Sequence, residues 1–558
     1  MIRMLDELAP EASVDASVCI VGAGAAGIAL ACELIGCDFP VLLLEAGGLQ
    51  QDVALSDELY RGSATAPHPN PKQWRRVVFG GTTSIWGGRC APFDPIDFEA
   101  RDYMDRSGWP ISYEDVARYY PRALEYCDAG KFDFTVEGSL PEARRRIATL
   151  PGLTDDSIIE TRRIERYSLP SDFGRRRRTA IEAASNVTAL LHARCVGVER
   201  APGESRVESL VVMDRAGRRH RVRAQIFILA TGGIEVPRLL LQADAPGPGL
   251  GNGYGLVGRF YACHFENILG RLVAPDASIP FDFEKTIDGV YCRRKLQFSS
   301  AAQREHRLLN SAFRLHFPSY SDAAHGSAAL SAIYLAKSVL IPEYRAILQH
   351  GSEPAVQSPA LAHLRNVAFG LPQFGRFAYQ WLILRALAER KLPYTLVRNR
   401  DGSFPLEFNC EQTPSASNRI TLLDETDRQG LKRVNVHWSV STEDVDATHR
   451  AFLLLRAELQ RGSLCRLEFE ESALREAIGR SPPLGHHMGT TRMAVTPRAG
   501  VVDTNCALFE SPNLFVASSA TFCTVSHANP TLTIVALALR LADHIKRQLT
   551  PAEIPALP

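Results

Sequence analysis

The sequence predicts an α/β protein that also carries a second domain of mixed α+β content. An apolar run at Val18–Val21 leads into a glycine turn, a helix-compatible segment and a second apolar run, Val41–Leu44. This order of strand, glycine turn, helix and strand is typical of a Rossmann-like nucleotide-binding sheet. The chain has 558 residues, more than one hydrophobic core usually holds, so two or more domains are expected.

The glycine turn carries the pattern that binds a dinucleotide. Gly22, Gly24 and Gly27 have G-x-G-x-x-G spacing, and Glu45 ends the second run. The first glycine permits the turn, the second lets a pyrophosphate approach the backbone, and the third lets helix and strand pack closely. The helix N-terminus favours the phosphates, and Glu45 can accept hydrogen bonds from ribose hydroxyls. A glycine-tolerant unit without a ligand is the alternative interpretation.

Composition excludes several classes of protein. The chain is 45% hydrophobic and 22% charged, with a formal net charge of +1, which favours neither nucleic acid nor an anionic membrane. The start of the chain does not resemble a secretory signal, and no apolar run is long enough to span a membrane. The 12 cysteines contain no C-x-x-C pair, so we expect reduced thiols, no metal site and a cytoplasmic protein.

Several segments after Glu45 are expected to form loops. Gly47–Arg76 is polar and proline-rich, and we expect it to cross the surface. The Gly80–Gly88 loop has two glycine pairs around hydroxyls and Trp86, which suits contact with a planar ligand, although a plain surface turn is an alternative. Ser112 resembles a helix start. Arg175–Arg178 is expected to be a solvated, salt-bridged loop, with contact to an anionic ligand or partner as the alternative.

The middle of the chain changes from strands to mixed structure. Short strands are predicted within 187–224, with a hairpin turn at Asp214–Gly217, and a strand–turn–helix is predicted over Gln225–Leu241. Beyond residue 269 we predict the strands and helices of a separate substrate domain. Its strands are expected at Asp288–Phe298, Leu309–Phe317, Phe404–Leu423 and Arg433–Val440, and its helices at Ala329–Gln349 and Pro359–Lys391. The apolar stretch Phe374–Leu387 is expected to pack in the core or between subunits, with a membrane-surface helix as the alternative.

The C-terminal region contains three histidines in two loops. His486 and His487 lie in a glycine-flanked turn, and His527 lies two residues before Asn529. A single histidine is usually structural, but three of them beside a nucleotide site favour acid–base chemistry. Asn529 and Pro530 are expected to form the N-cap and first residue of a long helix that follows the strand Leu514–Ala517. Asn529 has either this capping role alone or a catalytic role as well.

These stretches resemble the glucose–methanol–choline (GMC) family of flavin oxidoreductases. The similar segments are Val18–Gly48, Gly80–Gly88, Phe227–Leu241, Glu411–Leu422 and Gly485–Ile545, spread from end to end of the chain. GGTTSIWGG, SGWP, HHMGTTRM and ANPTLT are similar to the branch with pyranose oxidase and bacterial sugar dehydrogenases. The resemblance implies a discontinuous FAD domain over 1–100, 175–268 and 481–558, a cap and connecting segment over 101–174, and a substrate domain over 269–480.

The resemblance also implies residue roles and a cofactor. The H-x-x-G-T pattern assigns the catalytic base to His486, and the N-P-T pattern assigns the second catalytic position to Asn529. His487, His527 and Trp86 are further candidates for contact with the substrate. Ile85 occupies the position at which other members attach the flavin covalently, so non-covalent FAD is expected. The expected cofactor-binding residues are Gly22, Gly24, Ala25, Ala26, Gly27, Glu45, Ala46, Gly80, Gly81, Thr82, Thr83, Ser84, Trp86, Gly87, Gly88, Val196, Ala230, Thr231, Gly232, Ser518, Ser519, Asn529, Pro530 and Thr531.

The implied reaction is hydride transfer from a CH–OH group of a sugar or glycoside to flavin N5. A non-sugar alcohol, a flavin-containing lyase and a non-catalytic flavoprotein are the alternatives. The electron acceptor is oxygen or another molecule, and an oligomer is compatible with the sequence. The residues identify neither the substrate nor the carbon that is oxidised.

Overall fold

A computed structural model describes the chain except residues 10–12, 154–156, 170, 202, 244–246, 275–278, 337–357, 371–374, 376, 395–401 and 550–558. In chain order the strands are β1 Ile2–Met4, β2 Ser13–Val21, β3 Val41–Glu45, β4 Ser63–Ala64, β5 Arg89–Cys90, β6 Ile159–Tyr167, β7 Val187–Leu191, β8 Arg194–Arg200, β9 Val207–Met213, β10 Arg219–Leu229, β11 Phe265–Val273, β12 Glu284–Lys285, β13 Tyr291–Phe298, β14 Ser311–Leu315, β15 Ser403–Cys410, β16 Arg419–Thr426, β17 Lys432–His437, β18 Arg466–Glu468, β19 Ala507–Leu508 and β20 Ser511–Val516.

The α-helices are α1 Ala25–Glu33, α2 Val53–Tyr60, α3 Pro95–Phe98, α4 Tyr113–Ala117, α5 Tyr120–Tyr126, α6 Val136–Ser139, α7 Glu142–Arg145, α8 Phe173–Ala183, α9 Gly232–Gln242, α10 Ser300–Glu305, α11 Ala328–Ala336, α12 Ala360–Phe369, α13 Thr442–Gly462, α14 Glu471–Gly479 and α15 Thr531–Leu549. Short 3₁₀ turns lie at Gly81–Ser84 and Ser519–Thr521, and a π-helical turn covers Gln380–Ala386. Among the described residues, none of the helices combines the length and apolarity needed to cross a membrane.

The first sheet has the predicted Rossmann-like core. Its strand order is β1-β7-β3-β2-β10-β20-β19, and the pairs from β1 to β20 are all parallel. Strand β3 is buried along its whole length, as expected for a parallel strand covered on both faces. Gly27 lets α1 lie close to this sheet, because a Cβ there would stand 1.9 Å from the Gly22 carbonyl oxygen.

The second sheet is antiparallel, with the order β18-β11-β15-β14-β13-β6-β5. One face packs on α13, where Phe313 and Phe408 each approach the ring of Phe452 to 5.4 Å. Strand β6 belongs to this sheet although it lies in the segment that we expected to be a cap. A third, smaller sheet joins β16 and β17 to β4.

Two loop predictions need correction. Gly47–Arg76 contains helix α2, because Asp52 caps its N-terminus and Leu55 and Leu59 are buried against Val77. Arg175–Arg178 lie on helix α8, as the high helix propensity of arginine permits, rather than in a loop. Their side chains are solvated and ion-paired as expected, with Arg176 bound to Asp128 and Arg178 bound to Glu182.

The predicted strands and helices beyond residue 269 differ from the observed ones mainly in where they begin and end. The long predicted strand Phe404–Leu423 is two strands, β15 and β16, and the helix predicted over Ala329–Gln349 is described only for α11, the rest lying outside the described residues. Helix Pro359–Lys391 is interrupted, since α12 ends at Phe369. The stretch Phe374–Leu387 is partly outside the described residues, and Tyr379, Trp381 and Leu387 are exposed rather than packed in a core.

Candidate active site

The predicted nucleotide-binding residues lie at one edge of the first sheet. Gly22 follows β2, Glu45 ends β3, Thr231 follows β10 and Ser518 follows β20. Because these strands are parallel neighbours, their carboxyl ends meet at the same edge. Strand β2 lies between β3 and β10, and the strand order reverses at this point. Open α/β sheets form a ligand crevice at such a reversal.

The turn between β2 and α1 leaves open space in front of the helix. Gly24 is the N-cap of α1 without a side-chain hydrogen bond, so the first N–H groups of the helix, beginning with Ala25, have no side-chain cap. A Cβ on Gly24 would meet nothing within 4 Å, whereas a Cβ on Gly81, in the opposite loop, would lie 3.0 Å from the Gly24 Cα. The Gly80 N–H donates to the Ala23 carbonyl at 2.8 Å and ties the two loops together. This cradle fits the pyrophosphate of a dinucleotide.

Glu45 holds the turn from below. Its carboxylate accepts hydrogen bonds from the Ala23 N–H at 2.9 Å and from the Gly47 N–H at 2.8 Å. Burial raises the pKa of Glu45 to about 7, against the opposing effect of these N–H donors. Each carboxylate oxygen keeps a further lone pair, so the residue can also accept from a ribose hydroxyl.

The other predicted cofactor residues lie in the glycine loop and near the ends of the neighbouring strands and helices. The Thr83 hydroxyl donates to Gly80 O at 2.6 Å and the Ser84 hydroxyl to Gly81 O at 2.8 Å, which hold the 3₁₀ turn of the glycine loop. The Trp86 indole N–H donates to Ser171 O at 2.9 Å, which fixes its ring. The remaining members of the predicted set lie in α1, β8 and the glycine loop, just after β3, β10 and β20, and at the start of α15: Ala26, Ala46, Thr82, Gly87, Gly88, Val196, Ala230, Gly232, Ser519, Pro530 and Thr531.

His486 is held by a hydrogen-bonded chain that begins on a backbone carbonyl. His264 Nε2 lies 2.9 Å from Val525 O, and His264 Nδ1 lies 2.9 Å from His486 Nδ1. A carbonyl accepts only, so His264 Nε2 carries the proton and His264 Nδ1 is an acceptor. His486 therefore donates from Nδ1, which leaves a lone pair on its Nε2. Burial lowers the pKa of His486 well below its usual value, and His264 and Arg89 lower it further.

His487 is held by a second, similar chain. His68 Nδ1 lies 2.6 Å from Pro69 O, the Tyr261 hydroxyl lies 2.8 Å from His68 Nε2, and His487 Nδ1 lies 2.6 Å from that hydroxyl. The same reasoning makes Tyr261 donate to His68 and accept from His487. Ligand atoms of His68, Cys263 and His487 all lie within 4.8 Å of one another, a spacing that could hold a metal ion. The Tyr261 hydroxyl contacts all three groups, so the hydrogen bonds account for the cluster.

Asn529 does not cap the helix that follows it. Helix α15 begins at Thr531, and the Pro530 carbonyl accepts the Ile534 N–H at 2.8 Å. The Asn529 Oδ1 atom is buried and has no hydrogen-bond partner among the described residues. The expectation of an Asn529 N-cap with Pro530 as the first helical residue is therefore wrong, because the helix starts one residue later and its carbonyl cap is Pro530.

His527 belongs to the same loop and is fully buried. Its Nε2 lies 2.9 Å from Lys295 Nζ and 3.4 Å from Asp94 Oδ2. His527 also contributes to lowering the pKa of His264 to about 3, after burial and against the Val525 hydrogen bond, so the two imidazoles are close neighbours. Three residues of this group, Asp94, His264 and Lys295, were not predicted. Each stands alone in its segment, so no local sequence pattern marks it.

The second sheet presents a charged face to these histidines. Arg314 forms a buried ion pair with Glu165, and Glu407 lies between Arg314 and Arg89 at 3.3 Å and 3.5 Å. Arg89 lowers the pKa of His486, after burial and His264, and Arg314 contributes to lowering that of His527. Two acceptors of this sheet, Gln297 Oε1 and Asn409 Oδ1, are buried without a partner among the described residues. The wall opposite the histidines is therefore polar.

A glycine-cradled crevice at the reversal of a parallel sheet, beside half-buried neutral histidines, is the arrangement expected of a nucleotide-dependent oxidoreductase. Residues 414–538 match the family described as GMC oxidoreductase. The chain is 24% identical to 2-methyl-1,2-propanediol dehydrogenase of Mycolicibacterium austroafricanum over 96% of this chain and 95% of that protein. It is 23% identical to the fructose dehydrogenase large subunit of Gluconobacter japonicus over 96% of this chain and 99% of that protein.

The fold is similar to that of pyridoxine 4-oxidase from "Mesorbium loti", with a TM-score of 0.54 and 18% identity over 95% of this chain and 98% of that structure. The match over residues 414–538 agrees with the resemblance to the GMC oxidoreductases. The cradle around Gly24, Gly81 and Glu45 fits the FAD that this resemblance implies.

Proposed function

We propose that this enzyme oxidises a CH–OH group of a sugar or glycoside to a carbonyl, with His486 as the base. The observation that carries the proposal is the hydrogen-bonded chain from Val525 O through His264 to His486 Nδ1. It leaves the His486 Nε2 lone pair free to accept a hydroxyl proton. Because the pKa of His486 is lowered, the imidazole is neutral and ready as a base at neutral pH.

Asn529 is proposed to hold the same hydroxyl oxygen. Its amide N–H₂ can donate to the oxygen as negative charge develops there during proton removal. The unpaired Asn529 Oδ1 supports a role other than helix capping. A fixed donor in a buried site is more effective than water, since it does not need to reorient during the reaction.

The bonds and electrons balance as follows. The hydroxyl proton goes to His486 Nε2, the carbon–hydrogen bond breaks with its electron pair, and the carbon–oxygen bond becomes a double bond. Bound FAD supplies the hydride acceptor. The cradle around Gly24, Gly81 and Glu45 would hold it, and the absence of histidine and cysteine from Gly80–Gly88 supports a non-covalent attachment. Reoxidation is left to oxygen or another acceptor.

The charged wall supports a substrate with several oxygens. The charged groups of this sheet pair with one another, but Gln297 Oε1 and Asn409 Oδ1 are buried without a partner among the described residues, and an apolar alcohol could not donate hydrogen bonds to them. The similarity to a fructose dehydrogenase subunit points the same way. The similarity to a propanediol dehydrogenase favours a small non-sugar alcohol, which is the second candidate.

The test is anaerobic mixing of the purified yellow protein with sugars, glycosides and simple diols while the flavin absorbance is followed. Bleaching by a sugar supports the proposal, and bleaching by diols alone favours the second candidate. Air is then admitted, and fast return of the colour indicates an oxidase. A substrate that is converted without any bleaching would indicate a lyase. His486→Ala is expected to keep its FAD and to slow flavin reduction by about 10²–10⁴-fold.

A further inference from the structure

Asp94, Lys295 and His527 form a buried group that the proposed proton transfer does not use. His527 comes from the loop before α15, Lys295 from β13 and Asp94 from the residue before α3. Lys295 Nζ lies 2.9 Å from His527 Nε2, and Asp94 Oδ2 lies 3.4 Å from the same nitrogen. Asn310 donates to Asp94 Oδ2 at 3.2 Å, which holds the carboxylate in place.

These contacts fix where the proton of His527 is. An ammonium group has three donors and no acceptor, so Lys295 can bond to His527 Nε2 only if that nitrogen has a lone pair. A neutral imidazole then carries its proton on Nδ1. Burial lowers the pKa of His527, and the neighbouring Lys295 lowers it further, which keeps the ring neutral. Asp94 stabilises the ammonium, because the charge of Lys295 lowers the pKa of Asp94 despite the opposing effect of burial.

The resulting Nδ1–H group lacks a partner. His527 has no exposed surface, and its Nδ1 makes no hydrogen bond to any other residue that the structure describes. An unpaired buried donor is destabilising, and a ligand oxygen that accepts its hydrogen bond can remove this penalty. The loop that carries it also carries Asn529, with its unpaired Oδ1, and Val525, whose carbonyl anchors His264. The free donor therefore lies in the loop that holds the proposed catalytic groups.

We propose that His527 donates its Nδ1–H to a second oxygen of the substrate, one that is not oxidised, and that Lys295 and Asp94 position it for this contact. This inference rests on the proposed function and makes it more specific. The substrate has a hydroxyl or ring oxygen next to or near the reacting carbon, as sugars and glycosides have. An analogue that lacks this oxygen leaves the donor unpaired and is discriminated against.

The test compares one sugar that reduces the flavin with its monodeoxy analogues, one for each hydroxyl. In the wild type, one analogue other than that lacking the oxidised hydroxyl is expected to have a kcat/KM for flavin reduction at least about tenfold below the parent sugar. In His527→Phe the kcat/KM values for the parent sugar and for this analogue are expected to become equal within about twofold. His527→Gln, which keeps a donor, is expected to restore part of the discrimination.

Lys295→Met tests the positioning role, because it removes the ammonium and leaves His527 free to donate from Nε2 to Asp94 instead. We expect it to lose the same discrimination while retaining FAD, and this variant decides the question if His527→Phe does not fold. Lys285→Met, an exposed lysine of the neighbouring strand β12, is the matched control and should keep the wild-type ratio.

Three results would overturn the inference. The parent-to-analogue ratio could stay at its wild-type value in both His527→Phe and Lys295→Met. The variants could instead change the flavin spectrum or FAD content with the ratio intact, which would assign the donor to the cofactor. If no sugar or other alcohol reduced the wild-type flavin, the proposed function would fail together with this inference, and that result is recognised before any variant is made.

Discussion

His264 offers the sharpest test of how the proposed base is prepared. Its Nδ1 accepts a hydrogen bond from His486 Nδ1 at 2.9 Å, and the His264 ring is fully buried whereas His486 is half-buried. His264→Phe keeps a ring of similar volume but removes the acceptor and leaves the His486 N–H unpaired. Such a loss costs about 1–3 kcal/mol, and at 1.36 kcal/mol for each factor of ten this corresponds to a rate lower by about 5- to 150-fold.

The assay is anaerobic stopped-flow measurement of flavin reduction at saturating substrate. His264→Asn places an acceptor near the position of the lost Nδ1, so it should recover part of the rate that His264→Phe loses. His449→Phe, which changes a partly exposed histidine on α13, is the control for the loss of an imidazole. Flavin reduction by His264→Phe at the wild-type rate would refute the claim that the chain from Val525 directs the His486 proton.

Three further predictions follow from single residues. In a pH profile of kcat/KM, the acid limb should lie below pH 6.5, because the pKa of His486 is lowered and its neutral form persists down to that pKa. An acid limb at pH 7 or above would contradict this prediction. Gly27→Ala should lower the thermal stability of the FAD-free protein, since its Cβ would lie 1.9 Å from Gly22 O. Gly24→Ala should leave the thermal stability unchanged and weaken FAD retention. Equal melting temperatures for the two variants would contradict the claim that Gly27 is required for packing of α1. Asn529→Ala should slow flavin reduction and leave the free energy of unfolding unchanged within about 0.5 kcal/mol, because the residue caps no helix. A loss of about 1 kcal/mol or more in denaturant titrations would instead indicate that Asn529 caps the helix.

Local sequence patterns predicted the nucleotide-binding half of the fold well. The glycines, apolar runs and terminal acid of Val18–Glu45 are close in sequence, and their physical requirements are met within one β–α–β unit. The motifs of the His486 and Asn529 loops are equally short, and the catalytic roles that they imply stay predictions. The fold class that these patterns predicted is confirmed, and residues 414–538 match the predicted family.

The rest of the site depends on contacts between distant segments. Lys295 reads as an ordinary charged residue of β13, and only the arrival of Asp94 and His527 makes it a buried ammonium with two partners. His264 likewise gains its role from Val525 and His486. The start of α15 at Thr531 could not be predicted from propensity either, because Asn529 and Pro530 by themselves fit the N-cap and the first residue of a helix.

The position of β20 has a consequence for how the protein is made. Residues 227–229 of β10 pair with residues 514–516 of β20, so this edge of β10 lacks that partner until residues 514–516 have left the ribosome. An unpaired strand edge is prone to aggregation, and slow long-range pairing extends its exposure. The loop with His527 and Asn529 follows β20 directly. Because FAD binds the completed fold, its supply during expression should raise the yield of folded enzyme by mass action.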